Sequence, residues 1–475
     1  MSKKVTKQTG RVYTPKYLVK NILDLCGYVE GACILDKHII DNSCGDGAIL
    51  TEVVSRFIRT ALAKNISKSQ IQDILATYIH GIELDKQEVE KCKANLTAIA
   101  TDFGITDVVW DIVCGDALNN TTYLGKMDFV VGNPPYVRVH NLDIDTEFLK
   151  NNYSFVRGGM TDLYLAFYEL GLYMLNDTGV LSYVTPSSFF NSKAGRYMRD
   201  YITHARSVKA VVDLGHFQPF GATTYVTIML LTKHENLSVD YYTYERTRQE
   251  PKFVSRLSYE DFLLNDGTFV FHNNDLVNKV SNSEGVRKLC VVKNAFTTLL
   301  DEFFISDEFP FTDYVIPVLK ASTGVQELCL FPYDTSGKVI PYKVMCCNAE
   351  IQKRYQKYRT KLLNRDLSMR ASWHEFGRIQ GIKDVYKNKY AINNLIRDES
   401  DVKLVNCPSG TGVYSGLYIL TEVAEEKLRE VLISKDFVTY IHSLGKYKSG
   451  GYYTFSSKEL QLYLNYMLSQ ATLLD

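Results

Sequence analysis

A chain of 475 residues with 45% hydrophobic and 23% charged side chains is globular in composition and long enough for about two or three domains. No apolar run reaches the roughly 18 residues needed to span a bilayer, and the opening MSKKVTKQTGRVYTPKY lacks the apolar core of a secretory signal, so a cytoplasmic protein with no membrane partner is expected. A net charge of zero argues against a uniformly basic nucleic-acid binder, and ten scattered cysteines without a CxxC pair argue against a zinc cage or disulfide framework; no metal is expected.

The first half alternates apolar runs with stretches of helical spacing. Strands are predicted at 38–43, 78–84, 108–118, 127–133, 179–186, 208–215 and 225–233. Helices are predicted between them at 47–63, 86–103, 162–175 and 193–205. This rhythm implies an α/β domain of Rossmann-like type, a mostly parallel sheet covered by helices on both faces. The last strand lacks a clear preceding helix, so the runs at 208–215 and 225–233 are candidates for a hairpin. Past residue 235 the segments shorten and gain tyrosines and turn residues. A boundary is expected near 235–250, giving domains 1–240 and 241–475, the second α+β in character.

The first strand ends in Asp41-Asn42-Ser43-Cys44-Gly45-Asp46-Gly47-Ala48. A glycine turn between strand and helix is a nucleotide-type loop, and Gly45 and Gly47 permit close backbone approach. It lacks the GKS/T of a phosphate-binding loop, and Asp41 and Asp46 would repel phosphate. An acidic loop suits a cationic cofactor without phosphate, of which S-adenosylmethionine is the common one. The second strand ends at Glu83, where doubly wound folds bind a ribose diol. The third ends at Asp116, which could accept from an adenine amino group. Each also has an ordinary structural reading, as turn, helix cap or surface charge; their order strengthens the chemical one.

The fourth strand stops at Asn133-Pro134-Pro135-Tyr136. Consecutive prolines forbid a helix and donate no backbone hydrogen bond, so the chain leaves the strand in a stiff extended turn. An amide oxygen and the Pro134 carbonyl can together accept two hydrogen bonds from an exocyclic NH₂, while an aromatic ring stacks on the ring bearing it. The implied substrate is a planar base with an amino group, although Pro-Pro also ends ordinary strands.

Between Gln352 and Arg397, twelve Lys or Arg face three acids (Asp366, Glu375, Asp384), a local charge of +9. Tyr355, Tyr358, Trp373, Phe376, Tyr386 and Tyr390 are interleaved with them. Basic groups set among aromatics suit phosphate contact with stacking, against the alternative of a solvated helix face. Lys353, Arg354, Lys357, Arg359, Arg370, Trp373, Arg378 and Lys383 are the candidate nucleic-acid contacts.

The succession VYTP, DNSCGDGAIL, GIELD, GDAL, NPPYVRVHNL, DLYLAFYELGL, GVLSYVTPSSFF and PFGATTYVTIML resembles the gamma-order, Taq-type N6-adenine DNA methyltransferases. The resemblance runs over about residues 10–233; SWHEFGRIQG and KSGGYYTFSSKEL resemble segments of that family's recognition domains more faintly. It implies a catalytic domain followed by a target-recognition domain, with S-adenosylmethionine as cofactor and double-stranded DNA as the partner of the basic, aromatic segment. It assigns Thr14, Pro15, Asp41, Gly45 and Gly47 to the cofactor's methionine end and loop, Glu83 to its ribose and Asp116 to its adenine. Asn133, Pro134 and Tyr136 would hold the target adenine. Phe220 would pack on the flipped base, with Phe217 the second candidate and ordinary core the alternative. The Asp41-Asn42-Ser43 opening departs mildly from the family, which more often has a proline there. A prokaryotic, monomeric modification enzyme is expected, working with a separate restriction endonuclease or as an orphan methylase. Methylation of protein glutamine or RNA, a non-catalytic DNA-binding protein, and the modification subunit of a multi-subunit system are the competing readings.

Overall fold

The computed structural model describes residues 13–139, 146–158, 160–220, 224–271, 275–283, 286–367 and 371–472. The chain divides into two compact units, Met1–Asn273 and Asn274–Asp475.

In the first unit, the described residues form one nine-stranded sheet. Its strands are β1 (Ile39–Asp41), β2 (Ile79–Glu83), β3 (Asp111–Cys114), β4 (Met127–Gly132), β5 (Leu175–Pro186), β6 (Val208–Asp213), β7 (Val226–Thr232), β8 (Val239–Glu245) and β9 (Glu250–Leu257). They lie in the order β3-β2-β1-β4-β5-β7-β6-β8-β9. β3 through β5 run parallel, β7 is antiparallel to both β5 and β6, and β8 returns parallel to β6. The predicted hairpin is therefore present, with β7 wedged between β5 and β6. The strand order reverses between β1 and β4, the switch point at which open α/β sheets bind ligands.

Alternate strand residues feed two cores, as a period of two requires. Val130, Leu181 and Met229 bury on one face with Tyr164, Tyr168 and Phe189. Val131, Val180, Ile228 and Leu230 bury on the other with Leu18, Ile22, Leu50 and Val53. The fold class read from the strand–helix rhythm thus holds: a large mixed sheet with helices on both faces.

Three local differences have physical causes. Of residues 108–118 only Asp111–Cys114 is strand, because Asp116 caps a short 3-10 turn over Ala117–Asn119. The helix Lys16–Cys26 was not predicted, yet Pro15 stands at its N-cap and Leu18, Val19, Ile22 and Leu23 form its buried face. Gly27, at φ 86°, ends it, its N–H and that of Tyr28 bonding Asp24 and Leu23 carbonyls. Finally, the units divide after residue 273 rather than 240. β8 and β9 pair onto the sheet, and Tyr241, Leu257, Phe262 and Phe271 belong to its core.

The second unit is α+β. Its strands are β10 (Cys290–Asn294), β11 (Ile305–Ser306), β12 (Val315–Lys320), β13 (Val325–Leu330), β14 (Lys389–Ile392), β15 (Leu395–Ile396), β16 (Leu404–Cys407), β17 (Gly412–Tyr414), β18 (Leu417–Thr421), β19 (Tyr447–Lys448) and β20 (Tyr452–Thr454). The described residues give the sheets β10-β18-β14-β16, β11-β13-β12-β17 and β15-β20-β19. Helices Ala349–Leu363 and Ser457–Thr472 are the longest of this unit among the described residues. No helix among the described residues is long and apolar enough to cross a membrane.

Candidate active site

Parallel registry brings the candidate residues to one sheet edge. Asp41 pairs with both Gly81 and Val131, Glu83 pairs with Cys114, and Gly132 pairs with Tyr183. The C-terminal ends of β1, β2, β3 and β4, carrying Asp41, Glu83, Asp116 and Asn133, therefore share that edge.

The glycine loop is lashed to β2. The Gly45 N–H donates to Glu83 Oε2 at 3.0 Å, the Asp85 N–H to Glu83 Oε1 at 2.9 Å, and the Cys44 N–H to the Ile82 carbonyl at 3.0 Å. Gly47 has φ 85°, and a Cβ there would sit 2.7 Å from Cys92 Sγ, so only glycine fits the turn. Gly45 (φ 53°) has open space on the side where a Cβ would project, leaving the loop backbone approachable. Asp41 is buried at 2% exposure and accepts from the Ser43 N–H at 3.1 Å. Burial pushes its carboxyl up to about 7 against the pull of that amide, and the Glu83 carboxylate adds to the rise. No lysine or arginine pairs with Asp41 among the described residues. Asp116 is exposed, accepting from the Leu118 N–H at 3.0 Å and from Asn119 Nδ2 at 2.6 Å.

At the end of β4, Asn133 Nδ2 donates to Thr14 Oγ1 at 3.1 Å. Thr14 and Asn133, predicted as parts of two different binding sites, are thus hydrogen-bonded to each other. Pro134 is buried behind the turn. The Tyr136 hydroxyl donates to the Val184 carbonyl at 3.0 Å, and burial together with Tyr168 and Tyr164 raises its phenol well above the ordinary value, so it stays a neutral donor. Phe220 meets the Tyr136 ring edge-on with centroids 6.0 Å apart, whereas Phe217 stacks on Tyr244 at 5.1 Å and contacts Tyr17.

Two contributors escaped sequence reasoning. Gly132 is closely approached: a Cβ there would lie 3.2 Å from Asp41 Oδ1 and 3.1 Å from the Tyr183 ring, so any side chain would push on both. Its signal was a glycine closing an apolar strand, a mark of close approach. Asn42 accepts from the Tyr183 hydroxyl at 2.8 Å, a buried cross-sheet bond that no local pattern reveals.

In the second unit, the basic helix Ala349–Leu363 buries Ile351, Tyr355 and Leu362. Several cations on and near it already have protein partners, Arg354 on backbone and the others in surface ion pairs. Arg354 donates to the Phe303 and Glu302 carbonyls and lies 4.9 Å over Phe309; Lys353 pairs with Glu350. Arg378 bonds the Asp366 carbonyl and carboxylate. Lys357 and Arg359 are exposed and ion-paired to no acid among the described residues, Arg359 lying 5.1 Å over Trp373. Lys383 is exposed, and Arg370 lies outside the described residues.

Residues 58–220 match the family model described as Eco57I restriction-modification methylase. The Type II methyltransferase M.BstVI of Geobacillus stearothermophilus is 31% identical over 245 residues, 48% of this chain and 43% of that protein. The Type II restriction enzyme and methyltransferase RM.Eco57I of Escherichia coli is 24% identical over 368 residues, 62% of this chain and 36% of that protein. This chain thus spans less than half the length of either relative. Among solved structures, the Type IIL restriction-modification enzyme MmeI in complex with DNA aligns with TM-score 0.60 at 13% identity, over 93% of this chain and 63% of that one. A nuclease-deletion mutant of the Type ISP enzyme LlaGI, in complex with a DNA substrate mimic, aligns at 0.55 and 12% over 97% and 54%. At such identities these two likenesses establish the fold alone.

The methylase family implies S-adenosylmethionine, and the donor set fits it. The approachable loop around Gly45 offers no phosphate-binding lysine, while buried Asp41 and neighbouring Glu83 place negative charge where a sulfonium–ammonium ligand would relieve it. The match to the Eco57I restriction-modification methylase model over residues 58–220 is a likeness of the first unit to DNA-modifying methylases, the class of enzyme that its motif order resembles.

Proposed function

We propose that this chain is a site-specific DNA methyltransferase that acts on the N6 amino group of adenine, as the modification enzyme of a restriction-modification system or as an orphan methylase. The observation that carries this reading is the Asn133–Tyr136 turn, set at the β1–β4 switch point beside the acidic glycine loop. The relatives' printed names, Type II methyltransferases, support the reaction class; the amino-base geometry of the turn supports adenine.

Bound S-adenosylmethionine supplies an electrophilic methyl group on sulfur. The protein's task is to present a poor nucleophile correctly, because the adenine amino lone pair is delocalised into its ring. Hydrogen bonds from N6 to Asn133 Oδ1 and the Pro134 carbonyl hold the amino group and favour a more tetrahedral nitrogen. N6 would gain the methyl as the sulfonium's C–S bond breaks to leave a neutral thioether, and would lose one proton to solvent, since neither an amide oxygen nor a peptide carbonyl is basic enough to keep it. Catalysis is then positioning and electrostatics. A duplex hides N6, so the base must rotate out at a cost of roughly a few kcal/mol, offset by stacking on Tyr136 and packing on Phe220. Lys357, over Tyr358, and Arg359, over Trp373, are the proposed phosphate contacts of a target-recognition domain.

Sequencing modified bases in DNA from cells expressing the chain tests this directly. N6-methyladenine in one defined motif is expected. Methyl label appearing instead in protein glutamine or RNA would replace the reading, and no label in any acceptor would leave a DNA-binding protein without chemistry.

A further inference from the structure

We infer that Thr14 is a positioning residue for Asn133, selecting which end of the amide faces the substrate amino group. This rests on the proposed amino-group methylation and gives a residue that the family resemblance assigns to the cofactor a role toward the substrate side instead.

An asparagine side chain has a broad, two-fold terminal torsion, and its oxygen and nitrogen ends are nearly the same size. Turned one way, the amide offers an acceptor to the substrate NH₂; turned the other, it sets donor against donor. Something outside the side chain must choose. Thr14 Oγ1 accepts from Nδ2 at 3.1 Å, and while the hydroxyl proton is turned away from the amide this holds Oδ1 on the opposite side.

The hydroxyl is delivered on a rigid support. Thr14 precedes a proline, which confines its backbone to extended conformations. Pro15, at φ −61° and ψ 146°, starts the helix Lys16–Cys26, and its carbonyl accepts from the Leu18 and Val19 N–H groups. That helix is fixed to the sheet by its buried Leu18, Ile22 and Leu23 and by Ser182 Oγ, which donates to the Ile22 carbonyl at 3.0 Å. A residue 119 positions from Asn133 in sequence is therefore held at a constant place beside it.

The test compares Thr14→Val, which keeps the shape but removes the hydroxyl, with Thr14→Ser, which keeps the hydroxyl. On the full chain, single-turnover methyl transfer to its mapped substrate is measured alongside the calorimetric Kd for S-adenosylmethionine and KM for substrate. Thr14→Val is expected to slow transfer on the order of ten- to a hundredfold. Its cofactor Kd and melting temperature should stay near wild type, and Thr14→Ser should restore the rate. A cofactor Kd that rises in step with the rate loss would make Thr14 a cofactor contact and overturn the inference; so would an unchanged rate in Thr14→Val. Failure of the proposed function shows in the wild-type chain, whereas failure of this inference shows only in the Thr14 variants.

Discussion

The ring of Phe220 meets the ring of Tyr136 edge-on, with 6.0 Å between centroids and 70° between planes. Phe217, three residues earlier, instead stacks on Tyr244 at an interplanar angle of 14°. The two phenylalanines should respond differently to truncation. Phe220→Ala is expected to raise KM for DNA and lower the fluorescence of 2-aminopurine placed at the target position, with little loss of thermal stability. Phe217→Ala should lower the melting temperature and leave target capture largely intact. Equal effects on capture would remove the distinction.

Replacing Asn133 by alanine takes away one of two acceptors for the amino group. A loss of transfer on the order of 10² to 10³-fold is expected, with cofactor affinity nearly unchanged. Isothermal titration with S-adenosylmethionine beside a radiolabel transfer assay separates the two. Parallel loss of both would show that the turn holds the cofactor, not the base.

Asp41 gives the apo protein a pH signature. Its folded carboxyl titrates near 7, well above the unfolded value, so between about pH 4 and 7 the folded state holds a proton that the unfolded chain has released. This group therefore lowers stability as pH rises across that window. Asp41→Asn should flatten that part of the melting-temperature profile and raise the melting temperature at pH 8. The same variant should weaken cofactor binding, most clearly above pH 7 where the wild-type carboxylate is charged. Difference profiles between the two proteins cancel the other titrating groups; coincident slopes would refute the assignment.

The second unit separates structural from solvent-facing cations. Lys357→Ala and Arg359→Ala should each weaken DNA binding evenly across sequences and reduce the slope of log K against log salt by about 0.9. Arg365→Ala should act on stability, because its guanidinium donates to the carbonyls of Thr298, Trp373 and Glu375, at 2.6–2.8 Å. Filter binding over a salt series, paired with thermal melts, sorts the three variants. A salt-slope change in Arg365→Ala with no loss of stability would reverse this placement.

Much of the first unit was legible because local and global signals coincide there. β1, β2, β4 and β7 are short apolar runs closed by turn chemistry, and parallel pairing then carries Asp41, Glu83 and Asn133 to one edge with no further information. The helix Lys16–Cys26 was hidden because it precedes the first strand, outside the alternation that flagged the others. The Thr14–Asn133 bond was hidden for a different reason: tertiary proximity over so long a sequence separation leaves no periodic trace. In the second unit, counting charge overestimated the available surface. Arg354, Arg365 and Lys389 each spend their donors on backbone carbonyls, Lys389 at 3% exposure with its ammonium lowered to about 8 by burial. A run of basic residues records composition, not which side chains the fold leaves to solvent.

The pairing of β8 onto β6, and of β9 onto β8, also decides how this protein can be dissected. A fragment ending at residue 240 would remove β9 and all but two residues of β8, leaving β6 with bare N–H and C=O groups and exposing the apolar patch that Tyr241, Phe262 and Phe271 cover. An uncovered edge of that kind templates intermolecular pairing and aggregation. The last two strands thus act as the sheet's selvedge, moving its border from the apolar β6 to a strand that carries Glu250, Pro251, Lys252 and Arg256.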